Sequence, residues 1–215
     1  MASMIETAPE MDLTLEDMNQ LLDEVKTYHE LYSPLFQRRE QREKSQAYLY
    51  GLLAPEIEKK AIEPMILSLE GDNPNAIRAM QHFVSEGAWQ DMKILQQHWH
   101  EVSLDLGEAD GVFTLDGSDF PKRGQDSAGV QRQHCGELGK IANCQAGVFV
   151  GYASRKGYTL LHRALYLPEK WINDPAYAEQ REKCRIPDRM EFQTKPQLGV
   201  AMLKAIVNEG SLPGQ

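Results

Sequence analysis

Cysteine is scarce in this chain. Cys135, Cys144 and Cys184 are an odd number with no CxxC spacing, so no disulfide framework is expected and the thiols should stay reduced. His134 beside Cys135 suggests a metal site or a Cys/His nucleophile, but zinc ligands come in close pairs and structural thiols are the preferred reading. Long apolar runs are also missing. No stretch reaches the roughly 18 to 20 apolar residues of a membrane span, and Met1-Ala2-Ser3-Met4-Ile5-Glu6 lacks a basic start followed by an apolar run. A cytoplasmic protein without membrane contact is expected. No GxSxG, P-loop or HExxH signature occurs, which leaves little support for an unrelated hydrolase. Nothing repeats internally and no segment is of low complexity.

What is present is an ordinary globular composition, 41% hydrophobic and 26% charged, enough to bury a core. The 215 residues correspond to about 1.4 domains of usual size. The net charge of -9 divides unevenly: residues 1–110 carry 9 Lys+Arg against 21 Asp+Glu, and residues 111–215 carry 14 against 11. The halves differ in kind.

Residues 1–12 have no periodicity and read as a flexible tail. Helical signals fill 13–110. Thr14 and Asp17 form a capping pattern, and Leu15, Met18, Leu22, Val25, Tyr28 and Tyr32 follow at three- and four-residue steps. A second helix opens in Arg38–Lys44, where interleaved Glu40 and Glu43 favour a solvated face over a DNA contact by Arg38, Arg39 and Arg42. A third segment runs from Glu56 to about Leu69. Asp72-Asn73-Pro74 starts a fourth helix with Ile77, Met80, Phe83 and Val84 inward. The fifth carries Trp89, Met92, Leu95, Trp99, Val102 and Leu106 as core, and His98 and His100, two apart, make a poor metal pair.

At Gly111 the period changes. Val112–Leu115 reads as a buried strand ending at Asp116, followed by a polar, glycine-bearing stretch to Gly129. Gln145–Tyr152 and Tyr158–Leu167 read as an antiparallel hairpin across Ala153-Ser154-Arg155-Lys156-Gly157. Pro168–Asp188 reads as an irregular surface excursion, and a last helix runs from about Pro196 to Asn208, stopping at Gly210. The fold class is therefore mixed α/β. A carboxylate at a strand end is placed to meet Mg²⁺, a hard cation that favours carboxylate and phosphate oxygens, and Lys122 and Arg123 are expected close by for phosphate charge.

The run Leu115-Asp116-Gly117-Ser118-Asp119-Phe120-Pro121-Lys122-Arg123-Gly124 is followed by Ser127, Gly129-Val130, Arg132-Gln133, Cys135-Gly136, Leu138-Gly139-Lys140 and Asn143-Cys144-Gln145. Together with Gly151-Tyr152-Ala153-Ser154, Leu165-Tyr166-Leu167-Pro168-Glu169, Trp171, Asp174-Pro175 and Phe192-Gln193-Thr194-Lys195-Pro196, it resembles the DDE transposases of the insertion-sequence 701 family. Arg42, Tyr48-Leu49, Gly51-Leu52-Leu53, Gln81-His82-Phe83 and Trp89 extend the likeness more loosely into the helical half. The resemblance implies a helical N-terminal domain, 13–110, followed over 111–215 by part of a ribonuclease-H-like domain: strand, antiparallel hairpin, helix. In that fold three acids hold two Mg²⁺ ions for attack on a DNA phosphodiester. Asp116 matches the first acid. Gly117 and Asp119 depart from the Asp-Asp-Thr-Gly pattern that members often show there. Lys122 matches a basic loop residue and would contact DNA phosphate, against the plainer reading of a solvated lysine.

The second and third acids would follow the Thr-Lys-Pro helix and have no match, so a shortened transposase, inactive alone, is expected. Its DNA partners would be element ends and target DNA, in a nucleoid-associated setting. The alternative is a non-enzymatic DNA-binding or regulatory fragment that self-associates or pairs with a full-length transposase, using Lys122, Arg123, Arg132, Lys140, Arg155 and Lys156 if these share a face. An Asp116 strand without its later neighbours should expose a backbone edge.

Overall fold

The computed structural model describes residues 14–209 and 212–214; the expected tail over 1–12 and the stop at Gly210 lie outside them. The chain forms two compact units that divide between Ile94 and Leu95.

The first unit is helical. Helix α1 spans Leu15–Tyr32, and the Thr14 side chain accepts from the Asp17 amide while the Asp17 carboxylate accepts from the Thr14 amide. This reciprocal pairing satisfies two amides that the first turn leaves without partners. Helix α2 spans Arg39–Leu53, α3 Ile62–Glu70 and α4 Pro74–Glu86. Asn73 caps α4 and Pro74 fills its first turn, where a missing amide hydrogen costs nothing. The third helix starts six residues later than its apolar run suggests, because Pro55–Ala61 turns first. Phe36, Ile66, Ala76, Met80 and Phe83 form the core, and Phe36, Phe83 and Trp89 meet as tilted or edge-on rings.

His29 is buried, with Nε2 2.7 Å from Ser45 Oγ. Burial holds its imidazole below the usual 6.5, with Glu30 acting weakly the other way. The unfolded chain then binds more protons than the folded one just below pH 6.5, so stability is full above that value and falls as pH drops through the folded pKa. Urea unfolding at pH 7.5 and 5.5 should show this loss, and His29→Gln should flatten it.

The second unit contains the sheet. Helix α5 spans Asp91–Asp105, so the division falls inside a helix and not at the Gly111 change of period. The physical reason is that Trp99 and Val102, from the C-terminal half of α5, are buried with the sheet residues Val148, Val150, Tyr152 and Leu161. Strands β1 (Val112–Pro121), β2 (Gln131–Cys135), β3 (Lys140–Ser154) and β4 (Gly157–Tyr166) make an antiparallel sheet in which β3 pairs with all three others. Short helices α6 (Glu169–Asn173) and α7 (Ala178–Lys183) follow. Helix α8 spans Lys195–Glu209.

Helices α5 and α8 cover one face of the sheet, where Met202 and Ile206 join Trp99, Val148 and Tyr152. Helix α8 crosses β1 at Gly199, where a Cβ would lie 2.4 Å from Leu115 Cδ2. The order strand, antiparallel hairpin, helix matches the expectation. Two local expectations are corrected. Val112–Leu115 is not buried, because β1 pairs with β3 alone among the described residues and so lies at an edge, with Val112 and Leu115 exposed. Pro168–Asp188 is not irregular throughout; it holds α6 and α7, and Trp171 is buried with its Nε1 donating to Val130 O at 2.8 Å.

Tyr152 closes the base of the sheet. Its hydroxyl accepts from the Glu108 amide at 3.0 Å and lies 2.8 Å from Pro213 O. Tyr152→Phe leaves both groups short of a partner and should cost about 1–3 kcal/mol in urea denaturation.

Candidate active site

Strand alternation sets the site. In β1, Phe113, Leu115, Gly117 and Asp119 point to the α8 face, while Thr114, Asp116, Ser118 and Phe120 point to the other. Asp116 is opposite Phe149 of β3 and is exposed. Its Oδ1 accepts from the Gly117 amide at 2.7 Å. The carboxylate therefore stands on the face of an edge strand opposite α5 and α8, five residues before the strand ends at Pro121. It does not end the strand as its sequence context suggests, because pairing continues through Pro121 opposite Cys144.

Asp119, three residues on, does a different job. Its side chain is only 15% exposed. One oxygen accepts from the Gly136 amide at 2.8 Å and the other lies 4.0 Å from Lys195 Nζ. Lys195 opens α8, sits 5.5 Å from the Tyr166 ring centroid, and would lie 3.9 Å from a Cβ placed on Gly117. Asp119 thus ties the β2–β3 hairpin and the start of α8 to β1. Sequence reasoning assigned no role to Lys195; the signal available was the period of two, which puts 117 and 119 on the α8 face.

The basic residues do not gather around Asp116. Lys122 lies six residues along, roughly 20 Å at the strand rise, and is half-buried with its amide bonded to Asn143 O. Arg123 follows it, exposed. Lys140 starts β3, at the end where Cys135 and Lys140 pair. Arg155 and Lys156 lie in the β3–β4 turn, separated from Lys140 by the 15 residues of β3, roughly 50 Å if straight. Arg155 pairs with Asp110 at 2.6 Å and its amide bonds to Glu108; Lys156 Nζ is 3.4 Å from Gly107 O. The six residues therefore do not share one patch: Lys122, Arg123, Arg132 and Lys140 lie toward one end of the sheet, and Arg155 and Lys156 lie at the other.

The cysteine chemistry is quiet. His134 and Cys135 are consecutive in β2 and point to opposite faces, so they form no nucleophile pair. Cys135 and Cys144 are buried. Burial pushes the Cys144 thiol up; the Gln133 hydrogen bond opposes this, and Cys135 and Asp119 add to it, which disfavours the nucleophilic thiolate. Among the described residues no group of three His, Cys, Asp or Glu side chains is placed to hold a metal ion, and no helix is long and apolar enough to cross a membrane.

Comparison with known families gives one match. A family model described as DDE superfamily endonuclease matches residues 31–214. The chain belongs to the DDE superfamily endonucleases. No curated protein and no solved structure matches it. Membership makes DNA the substrate class of this DDE endonuclease domain.

The two aspartates should separate in a stability assay. Asp119→Ala removes an amide partner and an ion pair from a largely buried position and should cost about 1–3 kcal/mol, whereas Asp116→Ala should stay within about 0.5 kcal/mol. Paired urea titrations read the difference.

Proposed function

We propose that the chain is a transposase-type DDE endonuclease, of the insertion-sequence 701 kind, in which Asp116 is the first metal-holding acid of the DNA-cleaving site. The observation that carries the reading is the place of Asp116: exposed, on the first strand, on the face that α5 and α8 leave open, in a chain of this family. Divalent ions such as Mg²⁺ or Mn²⁺ would supply the nucleophile and stabilise charge at the phosphodiester. Asp116 offers a hard oxygen donor suited to such an ion. Two ions about 3.5–4 Å apart need several acids, and the described residues bring no further pair beside Asp116. The donor set does not fit the two-ion centre.

With this donor count, the described residues would be inactive by themselves unless further carboxylates join Asp116. Purified protein with Mg²⁺ or Mn²⁺ and supercoiled plasmid should leave the DNA intact. Nicking that Asp116→Ala abolishes would overturn the inactivity and keep the site; nicking that survives Asp116→Ala would overturn the site.

A second reading, a non-enzymatic DNA-binding fragment acting on element ends, draws on the grouping of Lys122, Arg123, Arg132 and Lys140 toward one end of the sheet. Binding to duplex DNA should then weaken steeply with salt, and Lys122→Ala or Arg123→Ala should each reduce the slope by about 1. An unchanged slope would remove this reading.

A further inference from the structure

Strand register fixes which side chains share the face of Asp116. On β3, Phe149, Gly147 and Gln145 lie opposite Asp116, Ser118 and Phe120, and on β4 Arg163 lies opposite Phe149. Directly opposite residues point to the same side of a sheet. Gly147 shapes what results. The Phe120 and Phe149 rings lean toward each other over it, with centroids 6.3 Å apart and an interplanar angle of 65°. A Cβ on Gly147 would lie 2.7 Å from Phe149 Cε2 and 3.3 Å from Phe120 Cε2, so a larger residue there would push the rings aside. Neither ring belongs to the core that α5 and α8 close. Phe120 is 43% exposed and Phe149 is half-buried.

The charges beside the rings have one prevailing sign. Among the described residues that β1, β3 and β4 place on this face, Asp116 is the only acid. Arg163 is exposed and completes the cross-strand row Asp116–Phe149–Arg163, at roughly 5 Å per strand. Lys122 follows two residues after Phe120, where its amide continues the ladder by donating to Asn143 O. Each ring therefore has a cation for a neighbour. Cations answer to the phosphates of any DNA, single or double. Aromatic rings discriminate further, because bases in a duplex stack on one another, whereas an unpaired base has a π-face to stack on a side chain.

We propose that this face is a binding track for unpaired DNA, in which Phe120 and Phe149 stack a base beside the phosphodiester at Asp116 while Arg163 and Lys122 meet neighbouring phosphates. This assignment rests on Asp116 being the metal-holding acid in a chain whose family acts on DNA. It adds that the substrate strand is single, or locally opened, where it meets that acid.

Fluorescence anisotropy of the full chain with a labelled single-stranded oligonucleotide, and with the corresponding duplex, tests this. Omitting divalent ions separates the two questions: the stacking platform can fail while Asp116 still binds Mn²⁺, and the reverse. The single strand should bind more tightly than the duplex. Phe149→Ala and the more exposed Phe120→Ala should each weaken single-strand binding about tenfold, Phe149→Tyr should preserve it, and Arg163→Gln should lower the salt slope by about 0.7. Far-UV circular dichroism checks folding, and Phe120→Ala decides if Phe149→Ala unfolds. Irradiation of a strand carrying iodouracil should crosslink it to Phe120 or Phe149. A duplex bound as tightly as the single strand, single-strand binding unchanged in the alanine variants, or crosslinks confined to other residues would overturn the assignment. So would a complete lack of binding, as when a second copy of the chain covers the face.

Discussion

The pairing of β1 with β3 is the constraint on which the second unit depends. Register runs unbroken from Val112 opposite Ala153 to Pro121 opposite Cys144. A one-residue slip would turn Asp116 to the α8 face and carry Asp119, only 15% exposed in the native register, to the other. What fixes the register is burial on one face: Val148, Val150 and Tyr152 of β3 are enclosed by α5 and α8, and Leu115 fills the space that Gly199 leaves in α8. The exposed position of Asp116 is a consequence of packing that takes place on the other side of its own strand.

Two aspartates three residues apart differ in their surroundings. Asp119 is enclosed and bonded to Gly136 and near Lys195, and an ion there would have to displace partners that hold the hairpin and α8. Asp116 accepts from the adjacent Gly117 amide and is exposed. This supports the proposal that Asp116, of the two, holds the metal ion. The charge split along the chain sharpens in the same way. The mildly basic half does not present one basic surface, because β3 carries its positive residues to opposite ends.

Much of the helical unit was legible because its signals are local. Thr14 with Asp17 and Asn73 with Pro74 mark helix starts through the chemistry of unpaired amides, and Met80 and Phe83 mark the buried stripe. The β3–β4 hairpin was legible for the same reason, two apolar runs around a short turn. Strand β2 was not: Gln131-Arg132-Gln133-His134-Cys135 has no apolar run, and its extended form comes from pairing with Asn143 and its neighbours. The continuation of β1 past Asp116 was hidden by Gly117, Asp119 and Pro121, residues that locally favour turns and are overridden by ten paired positions. The strand carrying Asp116 could be picked out from sequence, whereas the separation of the basic residues depends on strand lengths that no local pattern encodes.

The central claim is that Asp116, and not Asp119, is the carboxylate open to a metal ion. Paramagnetic broadening of backbone amide signals during a Mn²⁺ titration reads this directly, even for the weak binding of a single carboxylate. The account predicts broadening at Gly117 and Phe149 that disappears in Asp116→Asn. Broadening centred on Gly136 and Lys195, unaffected by Asp116→Asn, would contradict it.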